Sequence, residues 1–141
     1  PTWVMPHPVE PKVYVAGNGS DEIIEVDIET WSITNRINTG KGPYNIDISS
    51  DGKFLVATLK GEAKTLVWEL SKKRPSFISN NSSVTHGVVI SPDSKYAFVS
   101  VEGVGGDPGV VDVIDIKRSK LVSSVSIGKQ AGGIAFWKIT E

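Results

Sequence analysis

HGVVISPDSKYAFVSVEG, residues His86 to Gly103, is the stretch on which the fold turns, because its pattern occurs twice. Forty-two positions upstream the chain reads YNIDISSDGKFLVATLKG, Tyr44 to Gly61. Lys95 falls on Lys53, Asp93 on Asp51, Ile90 on Ile48, Ser100 on Thr58 and Gly103 on Gly61. A fixed period of that length, built from short β-type runs, is the mark of an array of blades.

Outward from these two copies the same cycle recurs. Thr2 to Pro8 (TWVMPHP) holds two prolines, which would interrupt a central strand, so it reads as a short or irregular edge strand. Lys12 to Gly17, Glu22 to Glu29 and Ser32 to Thr39 complete a first round, the last of them polar at alternate positions as suits an outer, half-solvated strand. Gly40-Lys41-Gly42-Pro43 breaks the run. Tyr44 to Ser49, Phe54 to Lys60, Thr65 to Leu70 and Ser76 to Asn80 make the second round, with Ser50-Asp51-Gly52-Lys53 as a tight Asp-Gly hairpin. His86 to Ser91, Tyr96 to Val101, Val110 to Ile116 and Leu121 to Ile127 make the third. The loop Gly103 to Gly109 is longer by four residues, so the first and third rounds are offset by 88, and Asp115 answers Asp27. Gly133 to Thr140 (GIAFWKIT) opens a fourth round.

No stretch repeats its apolar residues at helical spacing over eleven positions. Runs apolar on both faces, such as GVVDVIDI (Gly109 to Ile116), need cover on both sides. A sheet stacked radially between two others supplies it, so the expected fold is all-β: about three four-stranded antiparallel propeller blades, near 2–39, 43–80 and 86–127, and one extra inner strand at 133–140. Three blades do not close a ring, so residues 1–141 are expected to form part of a larger or oligomeric propeller.

The 141 residues carry a net charge of −1, with 39% hydrophobic and 22% charged residues. That balance gives no electrostatic footprint for nucleic acid or a membrane surface. Lys72-Lys73-Arg74, the longest basic run, reads as a solvated turn. No apolar window approaches the roughly 20 residues of a membrane-crossing helix. The chain has no cysteine and two histidines, too few soft ligands for a tight transition-metal site, so no metal and no cofactor are expected. It starts at Pro1, which implies processing or truncation upstream.

Asp51 and Asp93 repeat one position in two of the rounds, as Asp27 and Asp115 repeat another, and they therefore read as turn-formers, since a catalytic group has no reason to repeat. His86 does not repeat: Tyr44 and Gly132 hold its positions in the neighbouring rounds. It stands at the entrance of an inner strand, on a rim shared with Tyr44, Lys41, Lys129 and Gln130, and Tyr44, His86, Lys129 and Gln130 are the candidate ligand-binding residues. No catalytic residue is assigned. His7 is expected near the start of the first inner strand, and Glu102 is the carboxylate available to the rim. GVGGDPG (Gly103 to Gly109) lacks the spacing and following helix of a nucleotide loop but suits a contact loop. The four tryptophans, Trp3, Trp31, Trp68 and Trp137, are read as blade-to-blade packing.

KVYVAGNGSDEIIEVDIET (Lys12 to Thr30), GPYNIDISSDGKFLVAT (Gly42 to Thr58) and His86 to Lys138 resemble the YVTN-type, or YncE-like, β-propeller repeats of bacteria and archaea. GKQAGGIAFWK resembles the ring-closing strand of such a propeller, which implies the C-terminal portion of a larger one. The middle round departs from the repeat, with Val84-Thr85 in place of the Gly42-Pro43 pair and Arg74-Pro75 where the outer strand begins. The resemblance implies a non-catalytic scaffold binding a protein or a small molecule, periplasmic or at the cell surface. Its partner is then another copy or the rest of the parent propeller, with no nucleic acid and no membrane span. The same family contains propellers joined to enzymes, lactonase-like or haem-binding at the channel mouth, and structural surface-layer repeats. An enzyme needs acidic residues or histidines from several rounds at that mouth, and this chain offers few.

Overall fold

The computed structural model describes residues 1–139, and within them every regular element is a β-strand. The first sheet contains β1 (Trp3–Pro6), β2 (Lys12–Gly17), β3 (Glu22–Asp27) and β4 (Ser32–Asn38). The second contains β5 (Pro43–Ile48), β6 (Phe54–Leu59), β7 (Lys64–Glu69) and β8 (Ser76–Ser79). The third contains β9 (Val84–Ile90), β10 (Tyr96–Glu102), β11 (Val110–Asp115) and β12 (Lys120–Ser126). Each sheet is an antiparallel meander in chain order. The three are propeller blades: β1, β5 and β9 are successive neighbours in space, so they are the inner strands.

The cores lie between blades. Tyr14, Ala16 and Ile23 of blade 1 pack with Ile46, Leu55, Leu59, Leu66 and Trp68 of blade 2. Val56, Val67 and Ile78, on the other face of blade 2, pack with Val88, Val99, Val101 and Ile114 of blade 3. Covered on both sides, β6 and β7 are buried at every position but their ends, whereas β4 and β12 at the outer edge are exposed almost throughout.

Several expectations need correction. The turn at Asp51-Gly52 is wider than a two-residue hairpin. Gly52 N–H donates to the Ser49 carbonyl at 2.8 Å, and Ser49 N–H closes the loop on the Phe54 carbonyl at 2.9 Å. Gly52 has φ +70°, a left-handed conformation that costs glycine nothing, while Ser94 adopts the equivalent φ of +60° in blade 3. The carboxylates explain the width: Asp51 Oδ1 accepts from Ser49 Oγ (2.6 Å) and Lys53 N–H (3.1 Å), and Asp93 repeats both bonds.

β1 is shorter than Thr2 to Pro8, and His7 follows its end, so His7 lies away from the inner-strand starts. Trp68 alone among the four tryptophans is buried, at 4% exposure, against 78% for Trp31 and 87% for Trp137. Trp31 sits at the β3–β4 turn with φ +55°, where its ring faces solvent rather than a neighbouring blade.

The segment expected as an extra inner strand forms no ladder. Residues 131–139 carry no strand pairing, and Thr140 lies outside the described residues. Even so, Ser100 Oγ donates to the Gly132 carbonyl, Phe136 packs on Phe98 with centroids 5.9 Å apart, and Ile134 lies against Gly87. A Cβ on Gly87 would stand 2.9 Å from the Gly132 carbonyl oxygen, so glycine there admits the segment beside β9. A strand assignment needs a hydrogen-bonded neighbour, and none faces this segment among the described residues.

Candidate functional site at the inner-strand rim

Because the strands alternate in direction, each blade has two rims. One carries the starts of β1, β5 and β9 together with the β2–β3, β6–β7 and β10–β11 connections. Tyr44 is the second residue of β5 and His86 the third of β9. Their ring centroids are 4.7 Å apart with the planes tilted by 57°. Lys60 Nζ stands 4.5 Å from the Tyr44 centroid, and Glu102 Oε1 lies 3.4 Å from His86 Nε2. Cation, phenol, imidazole and carboxylate thus form one half-buried row across two blades. An ammonium over an aromatic face and an imidazole beside a carboxylate are both favourable pairings. Behind the row lies a cavity of 220 Å³ lined by Thr2, Trp3, Asn45 and Ile134 among others.

Lys129 and Gln130 follow β12 on the same rim and are exposed. Lys129 directs Nζ to the Gly103–Gly109 loop, beside Gly106. Gln130, with φ +56°, turns the chain so that Gly132 is the residue that reaches the His86 ring. Tyr44 and His86 are therefore in contact, while the Lys129 ammonium lies beside the loop.

Two inner-strand side chains staple blade 2 to blade 3. Asn45 Oδ1 accepts the Val88 N–H at 3.0 Å, and Asp47 Oδ2 accepts the Ile90 N–H at 2.7 Å. Burial pushes the Asp47 carboxyl above the ordinary carboxylate range, and the Ile90 and Ile48 amides oppose that shift. Asp112 of β11 is fully buried and accepts four bonds, from Asn80 Nδ2, Asn81 N–H, Asn81 Nδ2 and Ser124 Oγ, at 2.6–3.1 Å.

His7 belongs to the opposite rim. Its Nδ1 accepts the Val9 and Glu10 amides at 3.2 and 2.8 Å, which leaves Nε2–H to donate to the Gly52 carbonyl at 2.9 Å. It borders a 440 Å³ cleft with Glu10, Lys12, Tyr14 and Glu25. Tyr14 O–H donates to Glu25 Oε2 at 2.9 Å, and burial, reinforced by that carboxylate, raises the phenol far above its usual range. Among the described residues no three His, Cys, Asp or Glu side chains form a group able to hold a metal ion.

Lys60, Asp47 and Asp112 do not stand out from the sequence alone, yet each has a signal in the repeat. Lys60 and Glu102 occupy the same position, before Gly61 and Gly103, with opposite charge. Asp47 replaces the Met5 and Val89 of its neighbours, and Asp112 replaces Ile24 and Leu66. A polar residue at an apolar repeat position is the trace of a buried polar clamp.

No protein-family profile matches the chain, and no curated protein matches it. Among solved structures, Kuenenia stuttgartiensis hydrazine synthase is similar with a TM-score of 0.76 and 27% identity, over 84% of this chain and 34% of that one. A functionally unknown protein from Desulfotomaculum acetoxidans gives 0.76 at 22% identity, over 89% and 40%. The WD40 repeats of RRP9 give 0.77 at 16% identity, over 91% and 38%. These likenesses establish the propeller fold, and the chain spans between 34% and 40% of the length of the three structures.

Proposed function

We propose that this chain is part of a YncE-like β-propeller, exported to the periplasm or cell surface. In this reading it acts as a non-catalytic scaffold that binds a protein or small-molecule ligand at the rim of Tyr44, His86, Lys129 and Gln130. The observation that carries the reading is the row Lys60–Tyr44–His86–Glu102, which places one cation, two rings and one anion on a single rim. Such a row suits a ligand with an aromatic or amide face and both kinds of charge. The remaining blades come from another copy or from the rest of the parent propeller.

The test is a thermal-shift screen of peptides and polar metabolites, followed by titration of each hit. Tyr44→Ala combined with His86→Ala is expected to weaken a true rim ligand by about tenfold or more, the scale of two central contacts. Hits whose affinity is unchanged by the double variant would contradict the placement.

A second reading, a propeller part of an enzyme with its centre at the channel mouth, is favoured by one observation, the 27% identity to hydrazine synthase. Against it, His86 with Glu102 is the one histidine–carboxylate pair on the rim among the described residues.

A further inference from the structure

Blade 2 departs from its neighbours in one connection. Four residues join β3 to β4 and β11 to β12, whereas six, Leu70 to Pro75, join β7 to β8. The β8 that follows has four residues, against seven in β4 and seven in β12. The longer connection is the basic run Ser71-Lys72-Lys73-Arg74-Pro75, and its backbone is fixed. Lys72 N–H donates to the Glu69 carbonyl at 2.8 Å, and the buried Trp68 Nε1–H donates to the Lys72 carbonyl at 2.8 Å.

Between this loop and β4 lies a cleft of 670 Å³. Four cations line it, Arg36, Lys72, Lys73 and Arg74, and no carboxylate does, in a chain whose net charge is −1. The other two large clefts mix the signs, with Glu10, Glu25 and Glu69 beside Lys12 and Lys53 in one and Asp51, Asp93 and Asp115 beside Lys95, Lys117 and Arg118 in the other. Arg36 is paired with Glu22 and Lys72 with Glu69, both at 2.6 Å, while Lys73 and Arg74 enter no ion pair among the described residues. Besides Asn35 and Asn38 the remaining lining is apolar, with Ile37, Trp68, Leu70 and Pro75 beside a half-exposed Phe77. β4 is the last strand of its sheet, so its outer edge presents unpaired backbone groups.

We propose that this cleft docks an extended acidic peptide of a partner protein. Its carboxylates meet Lys73 and Arg74, its apolar residues cover Ile37 and Phe77, and its backbone pairs with the free edge of β4. Acidic and apolar residues in alternation match the two faces that an added strand presents. The aliphatic floor and the single exposed ring favour a peptide over a stacked nucleic-acid strand. The inference is independent of the rim, which belongs to the inner strands.

The experiment is fluorescence anisotropy with the full chain and a fluorescein-labelled (Glu-Leu)4 peptide. Saturable binding is expected, weakened by added salt and by Phe77→Ser, and unmoved by Tyr44→Ala with His86→Ala. Lys73→Glu with Arg74→Glu is expected to weaken it by about tenfold or more, as loss of charge complementarity does. Lys73→Gln with Arg74→Gln, milder and checked by circular dichroism, is expected to give a smaller loss in the same direction. Absence of saturable binding, binding indifferent to both pairs, or displacement by a uridine oligonucleotide at the peptide's own concentration would overturn the proposal.

Discussion

Thr58 donates its hydroxyl hydrogen to the carbonyl of His86 at 2.8 Å, joining blade 2 to the inner strand of blade 3. The same oxygen accepts the Asn45 N–H at 3.0 Å, within the irregular register between β5 and β6 where that amide has lost its ladder partner. Ser100 repeats the arrangement one blade later, accepting from Gly87 N–H at 2.9 Å and donating to the Gly132 carbonyl. Blade 1 has Ala16 at this position, and there Thr2 Oγ1 donates to the Tyr44 carbonyl instead, at 2.8 Å. The carbonyls of Tyr44, His86 and Gly132, all at one repeat position, are thus held by hydroxyls, which fixes the backbone of the rim residues.

Thr58→Val keeps the shape and leaves one buried donor and one buried acceptor without partners. It is expected to cost about 1–3 kcal/mol in urea unfolding, while Thr58→Ser retains most of the stability. Equal losses in the two variants would show that packing, not the hydroxyl, holds the junction.

Asp112, itself fully buried, gathers four donors from the half-buried Asn80 and the exposed Asn81 and Ser124. Asp112→Ala removes the acceptor of all four bonds and is expected to cost about 1–3 kcal/mol. Asp107→Ala, in the exposed loop, is expected to stay within about 0.5 kcal/mol. Comparable effects at both positions would contradict the assignment of Asp112 as the clamp between blades 2 and 3.

Asp47 sets a pH dependence of definite sign. Burial raises its folded-state pKa above the unfolded value, so ionising it weakens the fold, and this penalty is relieved as pH falls through the raised value toward the ordinary one near 3.9. Asp51 acts oppositely: bonds from Ser49 Oγ and Lys53 lower its pKa, so its contribution is complete above the ordinary value and lost as pH falls through the lowered one. Against Asp47→Asn, the parent is therefore expected to gain relative stability between pH 7 and 4, read by urea unfolding. Against Asp51→Asn, it is expected to lose relative stability below pH 4. A reversed trend in either pair would reject the corresponding cause.

Three rounds of four strands are readable in the sequence because a blade repeats its turns and its apolar strands together, as Asp51 and Asp93 or Ile48 and Ile90 do. Strand ends agree to within one or two residues in most of these elements, since Gly and Pro mark them. What repetition hides is whatever differs between blades. Lys60 meets Tyr44 only because β5 and β6 adjoin, and Glu102 meets His86 across β9 and β10. Lys129 shares the rim, yet it is drawn to the Gly103–Gly109 loop, the one insertion that has no counterpart in the earlier rounds. Trp31 and Trp137 are unreadable for another reason: side-chain size alone does not say which face a turn or an unpaired segment will present.

A wedge of three blades needs further blades to be stable. Its outer faces expose Trp3, Val4 and Ile33 on blade 1 and Val122, Val125 and Ile127 beyond β11. Apolar sheet surface of this extent calls for cover, and a closed propeller takes about four to eight blades. Sedimentation velocity at low micromolar concentration, combined with thermal unfolding, tests this most directly. The expected result is that cooperative unfolding accompanies only species larger than one chain. A stable, cooperatively unfolding species at the 15.2 kDa monomer mass would contradict it.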